Sequence, residues 1–232
     1  MNILIAGASG MVGSGVLLEC LESPMVDTVV TLGRRKTERS HPKLSEIKHA
    51  DLTDLSTIES ELSEIDACFW CLGISVVGLS EERYTEITYA YAVSVASTLH
   101  RLNPNLRFVF VSAAGADSTE QGPTMWARVK GRTENAILNM GFRDSVVFRP
   151  AYIQPKRGVT SRTRLYRFFY LIGAPLYPAL KRLIPTMVTT TEAIGKAMII
   201  FARSGRRPAS ILDSAGINQL SDAFETESRK MS

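Results

Sequence analysis

Short apolar runs alternate along the chain with longer segments of helical periodicity. The runs predict strands at residues 2–6, 28–32, 47–50, 67–72, 108–111 and 145–148. The periodic segments predict helices at residues 11–21, 82–100 and 124–139, and a helix capped at 51–54 that runs to about 62. Strands that alternate with helices are typical of βαβ units. We therefore expect an α/β fold with a doubly wound parallel sheet and helices on both faces.

The pattern changes after Pro150, so we divide the chain into a core of residues 1–150 and a smaller segment of residues 151–232. Residues 162–183 are mostly apolar and aromatic, but they are too short and too interrupted by prolines to span a bilayer. A capping pattern at 189–192 predicts a helix to about residue 201, and 210–212 predict a last strand. The polar stretch from about Ser221 predicts a frayed end. We expect the segment to pack on the core and cover a substrate pocket.

Three glycines follow the first predicted strand and open the first predicted helix. This arrangement presents backbone N–H groups and a positive helix end to a diphosphate, and it predicts a dinucleotide-binding Rossmann core. The spacing is G-x-x-G-x-x-G. Three glycines alone are a weak indicator of a dinucleotide site, and the strand before them and the helix after them make the indicator strong. The alternative is a tight turn that packs helix on strand without a ligand. The residues expected to hold the diphosphate are Gly7, Ser9, Gly10, Met11, Val12 and Gly13.

The end of the second predicted strand indicates which dinucleotide is bound. This window holds Arg34, Arg35 and Lys36, and it has no acidic residue to accept a hydrogen bond from a ribose 2′-hydroxyl. An arginine there accommodates a 2′-phosphate, so we predict NADP (NADPH) in preference to NAD. Arg34 would form paired bonds to the phosphate, and Arg35 would stack on the adenine or assist. The alternative is a solvated basic turn.

Two further pairs of residues are expected at the adenosine, because ligands bind outside the carboxyl ends of the strands. Asp51 and Leu52 follow the third strand, where an adenine edge would lie. Leu72 and Gly73 follow the fourth strand, and they would flank the adenine ribose.

The composition describes one globular domain in a reducing compartment. The chain has 232 residues, of which 45% are hydrophobic, and this is enough for a substantial core. It has three cysteines and no signal-peptide pattern, from which we predict a cytoplasmic location. Cys68 and Cys71 form a C-x-x-C on a predicted strand, where residues three apart point to opposite faces. We therefore predict buried structural thiols and no metal site.

The positive charge is concentrated in one part of the chain. The net charge is +4, yet no acidic residue lies between Asp144 and Glu192, where eight cations stand: Arg149, Lys156, Arg157, Arg162, Arg164, Arg167, Lys181 and Arg182. Such a field attracts phosphates, a carboxylate substrate or an anionic membrane surface, and the alternative is a solvated face. We expect a small-molecule substrate that is partly apolar or anionic, no nucleic-acid partner, and a monomer or a homodimer.

Four further motifs accompany the glycine turn: C-L-G at 71–73, F-V-S-A-A-G-A-D at 110–117, V-K-G-R-T-E at 129–134 and V-F-R-P at 147–150. Together they resemble the atypical, extended branch of the short-chain dehydrogenase/reductase superfamily, and within it the TIP30-like, NAD(P)H-binding oxidoreductase group. The resemblance covers about residues 1–201. It implies the fold, a nicotinamide cofactor and oxidoreductase chemistry.

The resemblance also implies a catalytic pair, Tyr-x-x-x-Lys, and here the chain departs from the family. Lys130 stands at the lysine position, but Trp126 occupies the tyrosine position, and an indole cannot exchange a proton near neutral pH. Ser112 is the available counterpart of the superfamily's serine, and Pro150 would border the nicotinamide. The missing proton donor would be Tyr152, a tyrosine of the long helix (Tyr84, Tyr89 or Tyr91), or Lys130 acting through water.

Two functions remain open from the sequence. The first is an NADPH-dependent oxidoreductase acting on a small carbonyl substrate, with Lys130, Ser112 and Tyr152 as its catalytic residues. The second is a non-catalytic NADP(H)-binding sensor or regulatory module, which the Trp126 substitution favours. The basic aromatic segment 156–182 would line the substrate pocket, pack on the sheet edge, or contact an anionic membrane.

Overall fold

The structure is a computed structural model that describes residues 1–159, 184 and 187–229. Seven parallel strands of this part form one sheet in the order β3-β2-β1-β4-β5-β6-β9, and β7 pairs in parallel with β8 in a second sheet. The strands are β1 (Asn2–Ala6), β2 (Thr28–Gly33), β3 (Leu44–Lys48), β4 (Ala67–Trp70), β5 (Arg107–Val111), β6 (Asp144–Arg149), β7 (Tyr152–Gln154), β8 (Val188–Thr190) and β9 (Ile211–Asp213). The predicted doubly wound Rossmann fold is confirmed.

Helices cover both faces of the large sheet. They are α1 (Met11–Glu22), α2 (Glu59–Leu62), α3 (Glu81–Thr85), α4 (Tyr91–Leu102), α5 (Met125–Leu138), α6 (Thr191–Ser204) and α7 (Ser214–Arg229). A π-helical turn (Glu86–Ala90) joins α3 to α4, so the long helix predicted for residues 82–100 is continuous but locally widened. Within the described residues, no helix is long and apolar enough to cross a membrane.

The strands divide their side chains between two hydrophobic cores. Ile3 and Ile5 of β1 pack with α1, α6 and α7 on one face, and Leu4 packs with α2, α4 and α5 on the other. Cys68 lies in the second core and Cys71 packs against the first, as the strand alternation predicts. The three cysteines of the chain are free thiols.

The helix predicted to begin at residues 51–54 is much shorter than expected. Asp51 accepts hydrogen bonds from the backbone N–H and hydroxyl of Thr53, and Asp54 accepts one from the N–H of Ser56. These aspartates therefore close local turns, and only a 3₁₀ turn (Ser56–Ile58) and α2 follow. Strand β3 also lies earlier than predicted, at Leu44–Lys48.

The prediction of a frayed end from Ser221 is wrong for residues 221–229, which are helical. Helix α7 runs to Arg229 and buries Ile217, Leu220 and Phe224 in the first core. These residues are three and four positions apart, so the helical signal is present within a polar sequence. Helix α6 begins one residue later than the capping pattern implied, because Thr190 accepts the hydrogen bond from the N–H of Ala193.

The described part of the C-terminal segment contributes to the core itself. Strand β9 extends the large sheet beside β6, and α6 packs on α1. The boundary at Pro150 and the pocket-covering role of residues 151–232 stay predictions, because the aromatic segment on which they rest falls mainly at 160–183, outside the described residues.

Candidate functional site

A cleft of about 280 Å³ opens at the carboxyl ends of β1 and β4. The strand order reverses between these neighbours, because β2 and β3 lie beyond β1 and β5 and β6 lie beyond β4. The turn after β1 lines the cleft with Gly7, Ser9 and Gly10, and the chain after β4 lines it with Leu72 and Gly73. In open α/β sheets such a switch point is where ligands bind.

The glycine turn is shaped by close backbone approaches. Gly7 has a φ of +80°, and a Cβ there would lie 2.6 Å from the backbone nitrogen of Leu72. A Cβ on Gly13 would overlap the carbonyl oxygen of Gly7, so only glycine allows α1 to start this close to the turn. Of the predicted diphosphate residues, Met11, Val12 and Gly13 form the first turn of α1 and do not line the cleft with their side chains.

The amino end of α1 is open to a ligand. Gly10 is the N-cap residue and has no side chain to accept from the first helical N–H groups. These amides and the helix dipole form the anion-binding arrangement that a diphosphate uses. The glycine cradle and the uncapped helix end therefore fit a dinucleotide, whose diphosphate would lie against Gly7, Ser9 and Gly10 and whose nicotinamide would supply hydride chemistry.

Two exposed arginines lie at the end of the cleft beyond β2. Arg34 and Arg35 line it, together with Gly33 at the end of the strand. Within the described part of the chain neither arginine has an ion-pair partner. The nearby carboxylate of Glu46 instead accepts 2.6 Å hydrogen bonds from the N–H and hydroxyl of Thr37. The cleft thus presents two guanidinium groups where an NAD-specific site presents an acid.

Of the two residues predicted at the adenine edge, Leu52 lines the cleft and Asp51 does not. Leu52 is buried and lines the cleft. The carboxylate of Asp51 turns to Thr53 and does not line the cleft, and those hydrogen bonds hold the pKa of Asp51 below its usual value. Four lining residues were not predicted: Gly33, Cys71, Ile74 and Ile87. Tyr91, which was predicted as a candidate proton donor, also lines the cleft.

The lining residues that were not predicted lie next to predicted ones or in the π-helical turn. Cys71 and Ile74 flank the predicted pair Leu72 and Gly73, so proximity to that motif was the available signal. Ile87 comes from the π-helical turn. Such turns are frequent at functional sites, but periodicity does not reveal them in a sequence.

Three residues that bear on the proposed chemistry lie in line along helix α5. Trp126, Lys130 and Glu134 are four residues apart and share one face of the helix. The ammonium of Lys130 lies 5.8 Å from the centroid of the Phe110 ring on β5. Burial lowers the pKa of Lys130 to about 8, and the negative charge of Glu134 partly offsets this effect.

Ser112 lies just past β5 and is tied to a buried ion pair. Its hydroxyl donates to Glu134, and Arg149 at the end of β6 donates from Nε to both carboxylate oxygens at 3.0 Å. Arg149 also donates to the hydroxyl of Ser118 at 2.6 Å. Pro150 lies next to this network and accepts a 3.0 Å hydrogen bond from the N–H of Ala114. Ser112 and Pro150 therefore lie at this ion pair, and Lys130 lies one helical turn from Glu134, but none of the three lines the cleft.

Of the four candidate tyrosines, all within the described residues, Tyr91 alone lines the cleft. Its hydroxyl donates to Glu86. Tyr84 is buried in α3, and the ring of Tyr89 lies under the guanidinium of Arg132. Tyr152 donates a 2.7 Å hydrogen bond to Gln154, and desolvation raises its pKa, which makes it a weaker acid. The catalytic roles of Lys130, Ser112 and Tyr152 stay predictions.

Two described arginines of the basic segment 144–192 are paired with acids from elsewhere in the chain. Arg149 pairs with Glu134, and Arg157 pairs with Glu19 and Glu22 of α1. The predicted positive field stays a prediction, because five of its eight cations, at 162–182, lie outside the described residues.

Two curated relatives match most of the chain. Protein FMP52, mitochondrial, from Candida albicans is 29% identical over 161 residues, which cover 68% of this chain and 69% of the relative. Protein fmp52, mitochondrial, from Emericella nidulans is 25% identical over 219 residues, which cover 90% of this chain and 91% of the relative. Both names place the relatives in mitochondria, so the predicted cytoplasmic location is wrong: sparse, unpaired cysteines indicate reducing conditions without identifying the compartment.

The comparisons also support the fold and the family. The Bordetella bronchiseptica enzyme WbmH, solved in complex with NAD⁺, aligns with a TM-score of 0.65 over 96% of this chain and 79% of that enzyme, at 18% identity. The sequence pattern of the NAD dependent epimerase/dehydratase family matches residues 3–125, which is more than half of the chain. The resemblance to the extended short-chain dehydrogenases/reductases is thereby confirmed, and the chain belongs to the NAD dependent epimerase/dehydratase family.

Proposed function

We propose that the chain is an NADP(H)-dependent oxidoreductase that acts on a small carbonyl compound. The observation that carries the proposal is the pair Arg34 and Arg35, which line the cleft without an ion-pair partner among the described residues. A 2′-phosphate would supply the missing anion, and a guanidinium can bind it through paired hydrogen bonds. An acid that would repel this phosphate is absent from residues 31–36.

The proton for carbonyl reduction would come from Lys130. A bound nicotinamide supplies the hydride, and the carbonyl oxygen then needs one proton to become a hydroxyl. A group serves as a general acid best when its pKa lies near the working pH, and burial brings the pKa of Lys130 to about 8. Lys130 would donate this proton directly or through water, and solvent would restore it.

A second function has its own support in the packing of Trp126. A Cβ on Gly115 would lie 3.2 Å from Cη2 of Trp126, so the indole ring packs closely against the loop after β5. This ring holds no exchangeable hydroxyl where the superfamily has its tyrosine. A non-catalytic module that binds NADP(H) and reports its redox state is therefore the alternative.

Calorimetric titration with NADPH and NADH tests the cofactor. We expect Arg34→Ala to weaken NADPH binding roughly 10–100-fold, the equivalent of one lost charged hydrogen-bond pair, and to leave NADH binding nearly unchanged. Arg39→Ala, which removes an exposed cation further along the same segment, is the control. Equal losses for the two nucleotides would contradict a 2′-phosphate site at Arg34.

Turnover separates the two functions. NADPH consumption would be followed with small aldehydes, ketones and quinones, for the wild type and for Lys130→Met. We expect the wild type to consume NADPH, and we expect Lys130→Met to lower the rate of consumption by about 10²–10⁴-fold. Tight NADPH binding without consumption of any carbonyl compound would instead favour the non-catalytic module.

A further inference from the structure

Glu134 is a carboxylate with no solvent exposure in the interior of an otherwise ordinary helix. It is paired with Arg149 through Nε and Nη2, and it accepts the hydroxyl of Ser112. A buried ion pair is weak evidence for stability, because desolvation offsets most of the attraction. Strands β5 and β6 are already joined here by the 2.7 Å bond from the N–H of Ser112 to the carbonyl of Phe148. The carboxylate of the pair also lies one helical turn from Lys130.

The direction of the hydrogen bond determines what Ser112 can do. An ionised carboxylate only accepts, so the single hydroxyl proton of Ser112 is directed to Glu134. Ser112 then has only lone pairs to offer to a neighbour. It cannot donate to a substrate carbonyl while this bond is made, which leaves the ammonium of Lys130 as the donor.

Lys130 is placed to sense the charge of Glu134. The two residues are at i and i+4 on α5, and a nearby negative charge favours the protonated amine, whereas burial opposes it. On β6, Arg149 is already committed to Glu134. Other charged groups around α5 have partners of their own: Glu81 pairs with Arg128, Glu86 with Arg83, Asp144 with Arg107 and Arg207, and Arg101 with Glu59. Asp117 accepts from Thr119 and Gly122, Glu120 accepts from Asn135, Arg132 lies over the ring of Tyr89, and His100 packs against Phe142. Glu82 of α3 is exposed and has no ion-pair partner within the described residues.

We propose that Glu134, held by Arg149, is a positioning residue that keeps Lys130 protonated as the proton donor and holds Ser112 as an acceptor. The inference rests on the proposed function, because a proton donor is needed only if the carbonyl is reduced. Ser112, the counterpart of the superfamily's serine, would then act only as a hydrogen-bond acceptor, and Lys130 alone would donate the proton.

Amine labelling of the cofactor-free protein tests the inference without any need for turnover. The labelling rate of Lys130 is measured against pH by mass spectrometry of its peptide, and its midpoint is expected near 8 in the wild type. Glu134→Gln keeps the size of the side chain and an oxygen for Ser112 but removes the charge. We expect its midpoint to fall by at least about one pH unit. An unchanged midpoint would overturn the inference. If Glu134 has only a structural role, Glu134→Gln lowers the stability of the protein and leaves the midpoint of Lys130 where it is.

Two companion variants keep the test decisive. Glu81→Gln removes a carboxylate that pairs with Arg128 on the outer side of α5, and we expect it to titrate as the wild type does. If circular dichroism shows that Glu134→Gln does not fold, Glu134→Asp replaces it, because its shorter side chain withdraws the charge while Arg149 keeps a partner. We expect a smaller fall of the midpoint, and a midpoint equal to that of the wild type would overturn the inference.

Nucleotide binding distinguishes the two proposals. If the wild-type protein does not bind NADPH in calorimetry, the proposed function is contradicted, whatever the labelling midpoint of Lys130. A Glu134→Gln protein that binds NADPH but labels like the wild type contradicts the inference alone.

Discussion

At the scale of single residues, the tryptophan at position 126 is the main departure from the superfamily. Trp126 and Lys130 share one face of α5, four residues apart, which is the arrangement of the superfamily's tyrosine and lysine. A tyrosine introduced there would place a hydroxyl one helical turn from the ammonium that lowers its pKa. Under the proposed function, Trp126 is the side chain that separates this site from the usual catalytic pair.

Trp126→Tyr is expected to restore that chemistry. The phenol would add to the general acid catalysis that we propose for Lys130, so carbonyl reduction by this variant should exceed that of the wild type, but by less than the roughly 10²–10⁴-fold that a complete general acid is worth. Trp126→Phe, which opens the same space without a hydroxyl, is the control and should stay near the wild-type rate. If the two variants reduce substrate equally, the gain would come from space rather than from the phenol.

The pH dependence of the wild type follows from Lys130. Its pKa of about 8 means that the protonated donor predominates below pH 8 and is lost above it. We therefore expect kcat/KM for carbonyl reduction to fall as the pH rises through about 8. Oxidation of the alcohol needs the neutral amine, so it should rise over the same interval. A flat reduction profile between pH 6 and pH 10, measured as NADPH consumption, would exclude Lys130 as the donor.

At the scale of elements, the strand–turn–helix unit at the start of the chain was predictable in full, because β1, the glycine turn and α1 are all encoded locally. The turn at residues 51–58 was not, since whether an aspartate caps a helix or closes a turn depends on the next few backbone hydrogen bonds. Ile87 of the cleft escaped prediction because the π-helical turn that presents it leaves no periodic signal.

The contact between α1 and its turn leads to a prediction for Gly13. A methyl group there would overlap the carbonyl oxygen of Gly7, which is backbone and cannot rotate away. We expect Gly13→Ala to move the start of α1 away from the turn and to weaken NADPH binding at least tenfold, through the loss of helix-end hydrogen bonds. Ser14→Ala, one residue further along α1, should bind as the wild type does. Unaltered NADPH affinity of Gly13→Ala in calorimetry would show that α1 does not hold the diphosphate.

At the scale of the whole molecule, the chain after residue 187 completes the core that the first 150 residues begin. Strand β9 adds the seventh position of the sheet, and α6 and α7 cover the face that α1 covers only in part. The predicted boundary lies at Pro150 because the alternation of strands and helices stops there. Long-range packing of this kind has no local signature, so it could be predicted only weakly from a polar segment with a few apolar positions.

Phe224 tests whether this region folds with the rest. Its ring is 8% exposed within the first core, and the ammonium of Lys196 lies 5.6 Å from the ring centroid. Phe224→Ala should lower the free energy of unfolding by about 3 kcal/mol, which for a chain of this size lowers the melting temperature by about 6–12 °C. Thr226→Ala, on the exposed side of α7, should change the free energy of unfolding by less than about 0.5 kcal/mol.

If α7 belongs to one cooperative unit, calorimetry shows a single unfolding transition that moves as a whole, and bound NADPH raises its temperature in both variants. A second, lower transition that alone responds to Phe224→Ala would instead make the C-terminal region a separable appendage.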